Sequence, residues 1–162
     1  MYQEENVKMK LLMSLVAALS LLFTTAAVAE YGKQKVVYHI NYDNPKKQAG
    51  ALRNIQNHIN AVGAENMEIK VVMHGNGLSL VTTPDALERT KLKHANANDD
   101  MQTRILGLKN QGVAFNACAN TLKGKQINRE NDLFDVAESD IVPSGVAELS
   151  HLQAQGYTYI KP

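Results

Sequence analysis

Short β-rich runs alternate with longer helical segments along most of this chain, and that alternation limits the folds it can adopt. The first run, residues 35–40, is followed by apolar residues at three- and four-residue spacing between Leu52 and Val62, which is typical of an amphipathic helix. Strands that alternate with helices are joined as parallel neighbours by right-handed crossovers. We therefore predict a three-layer αβα fold of about five mostly parallel strands, flavodoxin-like in plan.

Capping and turn residues predict where the elements begin and end. Asn44 suits a helix N-cap, Pro45 suits the first helical position, and Gly63 is a helix stop. Further strands are predicted over residues 68–74, 113–115, 139–142 and 157–160. Further helices are predicted from Asp99 or Asp100 to Gly112, over residues 118–123, and over residues 143–155 with Val146, Leu149 and Leu152 on one face.

The N-terminal region has the three parts of a secretory signal peptide. Lys8 and Lys10 form a basic start, residues 11–23 an apolar core, and Ala27-Val28-Ala29 a small-x-small cleavage signal. The core is shorter than the roughly 20 residues of a membrane span, which disfavours an uncleaved anchor. We expect a start at Met1 or Met9, removal of residues 1–29, and a single domain over residues 30–162 that is periplasmic or secreted and has no membrane partner.

The formal net charge of +1 argues against nucleic-acid binding. Lysines are scattered in pairs among acidic residues, whereas nucleic-acid-binding domains concentrate positive charge on one surface. The lysines are therefore interpreted as solvated surface, and no nucleic-acid partner is predicted.

Cys118 is the only cysteine of the chain and follows a short apolar run. In an exported protein, an unpaired cysteine is either free and reactive or pairs between chains. Its predicted place at a helix start favours the thiolate, because backbone N–H groups and the helix dipole there stabilise negative charge. Free cysteine is also among the most often buried residue types, so position alone leaves a reactive and a structural role open.

Ligand sites in open parallel sheets form at the carboxyl ends of the strands. In the common doubly wound order the first and third strands are neighbours, and Cys118 then faces the turn at Asn41 and Tyr42. His74, which ends the second predicted strand, is the candidate base for the thiol or a partner of a bound anion. The candidate ligand-binding residues at these strand ends are Asn41, Tyr42, Gly75, Asn76, Asn116 and Asn120.

Other patterns give weaker indications of chemistry. A metal site built from His74, His94 and Cys118 lacks a short-spaced ligand pair. The turn Gly75-Asn76-Gly77 is too short for a phosphate-binding fingerprint. No metal and no cofactor are therefore predicted. Three further histidines are interpreted as structural or surface residues: His39, His58 and His151.

Three segments of the chain resemble the DsrE/DsrF-like family, which includes sulfur-relay proteins such as DsrE and TusD. They are KVVYHI at 35–40 with the helix that follows, EIKVVMHG at 68–75, and GVAFNAC at 112–118. The ending, with IVPSGVAEL at 141–149 and QGYTYIKP at 155–162, resembles a subgroup of small members.

The resemblance implies that Cys118 accepts sulfane sulfur as a persulfide and passes it on, in an exchange like thiol–disulfide chemistry. It also implies a homo-oligomer, trimeric or hexameric, with sulfur donor and acceptor proteins as partners. We expect a reactive, solvent-reachable thiol in an exported sulfur carrier or sulfurtransferase-like protein.

Two other functions stay open at this point. One is a non-catalytic ligand-binding or assembly module with its crevice near Asn41, His74 and Asn116. The other is a metal- or redox-responsive protein that uses Cys118 as ligand or sensor. The residues alone do not distinguish an enzyme from a carrier.

Overall fold

Strands and helices alternate from Gln34 to Ile160 in the computed structural model, which describes residues 31–162. The strands are β1 Gln34–Ile40, β2 Met67–Met73, β3 Ala114–Cys118, β4 Ile141–Val142 and β5 Thr158–Ile160. The α-helices are α1 Pro45–Val62, α2 Asp99–Lys109, α3 Ala119–Lys125, α4 Arg129–Asp132 and α5 Gly145–Ala154. Short 3-10 helices cover Ala64–Asn66, Gly75–Leu80, Pro84–Arg89 and Glu138–Asp140. The predicted signal peptide, residues 1–29, lies outside the described residues.

The five strands form one sheet in the order β4-β3-β2-β1-β5, and each neighbouring pair is parallel. The predicted αβα fold with about five parallel strands is thus confirmed. The flavodoxin-like order is wrong in one respect, because β2 lies between β1 and β3. The crossover through α1 returns the chain directly beside β1, as sequential strands usually do. Cys118 therefore does not face the Asn41–Tyr42 turn across a crevice between neighbouring strands.

Two cores of unequal size lie on the two faces of the sheet. The larger core packs the sheet against α1 and α2 and includes Ile40, Met73 and Phe115, which are fully buried. The smaller core contains only five buried residues, Val37, Val72, Leu149, Leu152 and Tyr157. The helical residues of this core, Leu149 and Leu152, both belong to α5, which therefore covers this face of the sheet. That face carries the candidate site.

The first turn of α5 departs from the predicted apolar face. Leu149 and Leu152 are buried as expected, but Val146 is 65% exposed. Val146 follows the first residue of the helix, at the carboxyl edge of the sheet, where it lines an open groove with His39 and His74. The apolar stripe of α5 thus extends beyond the strands that it covers.

Side-chain caps set the helix boundaries. Asn44 Oδ1 accepts a backbone N–H at 3.0 Å at the start of α1, which ends at Gly63 with φ of 90°. The cap of α2 is Asn98, whose Oδ1 also accepts a backbone N–H at 3.0 Å, so that Asp99 and Asp100 occupy the first turn. No helix within residues 31–162 is both long enough and apolar enough to span a membrane.

Candidate functional site

His74 and Cys118 lie side by side at the carboxyl edge of the sheet. Met73 of β2 pairs with Ala117 of β3, and these two residues directly precede His74 and Cys118. Neighbouring strands are about 4.8 Å apart, and alternation along each strand directs both side chains to the face that α5 covers. Two residues that the sequence singles out for chemistry are therefore neighbours in the fold.

Cys118 is the last residue of β3 and the N-cap residue of α3. The strand is longer than predicted because Asn116 and Ala117 pair with Val72 and Met73 of β2, although asparagine is uncommon in strands. Cys118 therefore sits at a strand-to-helix junction, as the sequence predicts.

The thiol of Cys118 is enclosed rather than solvent-reachable, since the residue is only 4% exposed. This burial raises the pKa of the thiol. The Thr121 hydroxyl and the backbone N–H groups of Gly145, Thr121 and Asn120, all near the sulfur, act in the opposite direction. They outweigh the burial, and the pKa of Cys118 lies below its ordinary value. Four donors near one sulfur atom favour the thiolate, which is the nucleophilic form.

The hydroxyl of Thr121 is oriented by a second hydrogen bond. Its Oγ1 accepts the backbone N–H of Gly75 at 2.9 Å. With that lone pair occupied, the hydroxyl proton is free to point at the sulfur of Cys118. Gly75 has φ of 56°, a left-handed conformation that glycine adopts without strain. The turn after β2 thus supports the site through Thr121.

Replacing Thr121 by valine is expected to raise the pKa of the Cys118 thiol by about one unit. A hydrogen bond to a charged group contributes about 1.5 kcal/mol or more, and one pKa unit corresponds to about 1.4 kcal/mol. The pH dependence of alkylation by iodoacetamide measures this pKa. Thr121→Ser, which keeps the hydroxyl, serves as the matched control and is expected to titrate near the wild type. Equal pKa values in the valine and serine variants contradict the assigned donor.

The side chain of His74 is hydrogen-bonded to a second histidine. Its Nε2 lies 2.7 Å from Nε2 of His39, and Nδ1 of His39 lies 2.6 Å from the Tyr159 hydroxyl. The ring centroids are 4.7 Å apart and the ring planes differ by 23°, so the two rings are nearly parallel and their Nε2 atoms meet at the facing edges. Burial lowers the pKa of both imidazoles, and for His39 the value falls to about 4. Both rings are therefore neutral at pH 7.

An open groove of about 640 Å³ lies over this histidine pair. Its lining residues are His39, His74, Val146, Leu149, Ser150, Gln153 and Tyr159. Val146 and Tyr159 are two of the four exposed large apolar side chains found within residues 31–162. The groove gives molecules from solvent a path to the carboxyl edge of the sheet.

The structure brings together only some of the residues predicted for the site. The backbone N–H of Asn120 is one of the groups that lower the pKa of Cys118, and the backbone N–H of Gly75 donates to Thr121. Asn116 is buried, and within the described part of the chain its Oδ1 has no hydrogen-bond partner. Asn41, Tyr42 and Asn76 make no hydrogen bond to Cys118 or His74 in residues 31–162. The base role of His74 stays a prediction, because its hydrogen bond goes to His39.

Four residues near the site are not among the predicted site residues: Thr121, Gly145, Tyr159 and His39, which the sequence analysis interprets as structural or surface. A threonine three residues after an N-cap cysteine is within reach of it, so the sequence held a signal for Thr121. His39 and His74 each end a β-rich run, and parallel pairing of those runs brings them together. Gly145 and Tyr159 come from distant chain segments, and only the tertiary fold places them.

The metal site considered from the sequence is not assembled. His94 Nδ1 lies 3.3 Å from Asp43 Oδ2, in a contact of its own. Within residues 31–162, no group of three or more histidine, cysteine or acidic side chains is arranged to hold a metal ion.

The fold and the site together define a class: an αβα protein of five parallel strands with a hydrogen-bonded cysteine at a strand-to-helix junction. The chain belongs to the DsrE/DsrF-like family, whose model matches residues 34–162. Among solved structures, it is similar to MTH1491, a protein of unknown function from Methanobacterium thermoautotrophicum. The TM-score is 0.63 and the identity 26%, over 80% of this chain and 100% of that chain. No curated protein matches this chain.

Proposed function

We propose that this protein is an exported sulfur carrier that holds sulfane sulfur as a persulfide on Cys118. The observation that carries the proposal is the set of four hydrogen-bond donors around the Cys118 sulfur. A lowered thiol pKa increases the thiolate fraction near neutral pH, and the thiolate is the attacking species in sulfur exchange. Membership of the DsrE/DsrF-like family is consistent with sulfur relay.

The exchange is a displacement at sulfur. The Cys118 thiolate attacks the terminal sulfur of a donor persulfide, a sulfur–sulfur bond forms at Cys118, and the donor leaves as a thiolate. Thiosulfate reacts in the same way, with sulfite as the leaving group. The donors that stabilise the thiolate also suit the negative charge of the persulfide, because backbone N–H and hydroxyl groups bond well to anions. No external oxidant or reductant is required.

Export and assembly are parts of the same proposal. The signal-like segment in residues 1–29 supports export, and the low exposure of Cys118 shields a persulfide from overoxidation in an oxidising compartment. A homo-oligomer, trimeric or hexameric, and donor and acceptor proteins follow from the family likeness.

The experiment is mass spectrometry of purified residues 30–162 after incubation with thiosulfate or polysulfide. We expect a gain of one sulfur atom in the wild type, lost on reduction with dithiothreitol. Cys118→Ser, a nearly isosteric control, is expected to gain none. An unloaded wild type whose thiol also alkylates slowly in the native state contradicts the sulfur-carrier role.

The alternative is a non-catalytic module that binds a small ligand. The groove beside His39 and His74 favours it. The buried Oδ1 of Asn116 also favours it, because this acceptor has no hydrogen-bond partner within residues 31–162 and such an acceptor is costly unless a donor reaches it. Under this alternative, Cys118→Ser leaves ligand binding intact.

A further inference from the structure

We propose that Tyr159 and His39 form a proton-transfer chain that connects His74, and through it the Cys118 thiol, with solvent. The proposal rests on the proposed use of Cys118 as a nucleophile. Tyr159 and His39 are positioning residues in it, since neither touches the sulfur.

The four groups follow one another across four neighbouring strands. Tyr159 lies in β5, His39 in β1, His74 directly after β2, and Cys118 at the end of β3. These strands are consecutive in the sheet, and their register places the four side chains on the face covered by α5. The order of the groups therefore leads from an edge strand toward the enclosed thiol.

The inner contacts are close enough for proton transfer. Tyr159 Oη to His39 Nδ1 is 2.6 Å, and His39 Nε2 to His74 Nε2 is 2.7 Å. Both separations are within the range of strong hydrogen bonds. His39 is 7% exposed, whereas Tyr159 is 40% exposed at the groove. The proton-transfer chain thus has a buried centre at His39 and one end, Tyr159, in contact with solvent.

Between His74 and Cys118, the fold provides a shared neighbour. The backbone N–H of Gly145 lowers the pKa of the nearby Cys118 thiol, and Gly145 packs so closely on His74 that a Cβ there lies 2.8 Å from His74 Cβ. The hydrogen bond of His74 to His39 uses Nε2, which leaves Nδ1 as the ring nitrogen for the thiol proton. That proton passes to Nδ1 directly or through one water molecule.

The proton balance closes with both rings neutral. His74 accepts the thiol proton at Nδ1 and gives its Nε2 proton to His39 Nε2. His39 gives its Nδ1 proton to the Tyr159 oxygen, whose own proton passes to solvent. The result is a thiolate, one proton released, and both imidazoles in the opposite tautomer. Return of a proton through the same atoms restores the starting state.

Charges around the pair favour neutral rings. In addition to burial, the charge of His74 and then that of Lys161 lower the pKa of His39, and Lys161, which follows β5, also lowers the pKa of His74. From β3 the facing titratable group is Cys118, and from β5 it is Tyr159. The groove residues of α5 are uncharged: Val146, Leu149, Ser150 and Gln153. A protonated His39 carries hydrogen on both nitrogens and cannot accept a proton from His74. Low pH therefore interrupts proton transfer.

The test is the rate at which the Cys118 thiol proton exchanges with solvent, followed by NMR as a function of pH, with and without added imidazole. We expect this exchange to be about a hundredfold slower in His39→Gln at pH 7, the lower end of the range for lost proton transfer, and added imidazole to restore much of the rate. Tyr159→Phe, which removes only the hydroxyl, is expected to change in the same direction. The advantage of the wild type is expected to disappear as the pH falls toward about 4, where His39 becomes protonated.

His151→Gln is the matched control, because His151 is an exposed histidine on the outer side of α5. Its Cys118 thiol proton is expected to exchange at the wild-type rate. Rates within twofold of the wild type for both His39→Gln and Tyr159→Phe overturn the proposal. A slower rate that imidazole does not restore, with an unchanged pH profile, also overturns it. Exchange of the thiol proton needs no sulfur donor, so this result is independent of sulfur loading.

Discussion

Replacing Gly77 by alanine is expected to lower the free energy of unfolding by about 3 kcal/mol or more. A Cβ at this position lies 2.0 Å from the carbonyl oxygen of Ile40 and 2.9 Å from Cα of Asn41. Both are backbone atoms at the end of β1, so the clash cannot be relieved by a side-chain rotation. Urea unfolding followed by circular dichroism measures the change.

Gly107→Ala is the matched control for this prediction. Gly107 lies inside α2, and a Cβ there has no neighbour within 4 Å. Alanine is expected to stabilise that helix by about 0.5–1 kcal/mol. A Gly77→Ala variant as stable as the wild type contradicts the close approach of the Gly75–Leu80 helix to β1.

Gly145→Ala is expected to raise the pKa of the Cys118 thiol by about one to two units and to slow alkylation at neutral pH accordingly. The new methyl group lies 2.8 Å from His74 Cβ and 3.3 Å from two of its ring atoms. The start of α5 or His74 must move, and either movement disturbs the hydrogen bond from Gly145 N–H to the sulfur. The thiol pKa is read from the pH dependence of the alkylation rate.

Gly124→Ala tests whether the effect is specific to that contact. Gly124 is in α3, close to Cys118 in sequence, but a Cβ there has no neighbour within 4 Å. The control is expected to keep the wild-type pKa. If Gly145→Ala also keeps it, the N–H of Gly145 does not contribute to thiolate stabilisation.

The sequence was sufficient for the features that depend on local structure. The Asn44 cap, the Gly63 stop and the apolar spacing of α1 follow from the preferences of a few adjacent residues, and they were predicted. The junction at Cys118 was also predicted, since an apolar run followed by helix-forming residues produces it. The predicted end of β3 was too early, because pairing with β2 extends the strand through Asn116.

Features that depend on strand order could not be predicted from the local sequence. Alternation predicts parallel strands but does not determine whether β2 or β3 lies beside β1, because both orders use right-handed crossovers. That choice decides the neighbours of Cys118: His74 replaces the expected turn at Asn41 and Tyr42. The contribution of Gly145 to the site depends on α5 crossing from β4 to β5, which no local pattern specifies.

The donors to the Cys118 sulfur come from two helix starts, those of α3 and α5, while the cysteine itself ends β3. No such arrangement exists in an unfolded chain, where the thiol has a pKa of about 8.5. A group whose pKa is lower in the folded state adds stability above the unfolded pKa and loses it as the pH falls through the folded pKa. Ionisation of this single sulfur and folding are therefore thermodynamically linked. The negative charge on the Cys118 sulfur, at the end of β3, is stabilised by donors at the starts of α3 and α5 and so links these three elements.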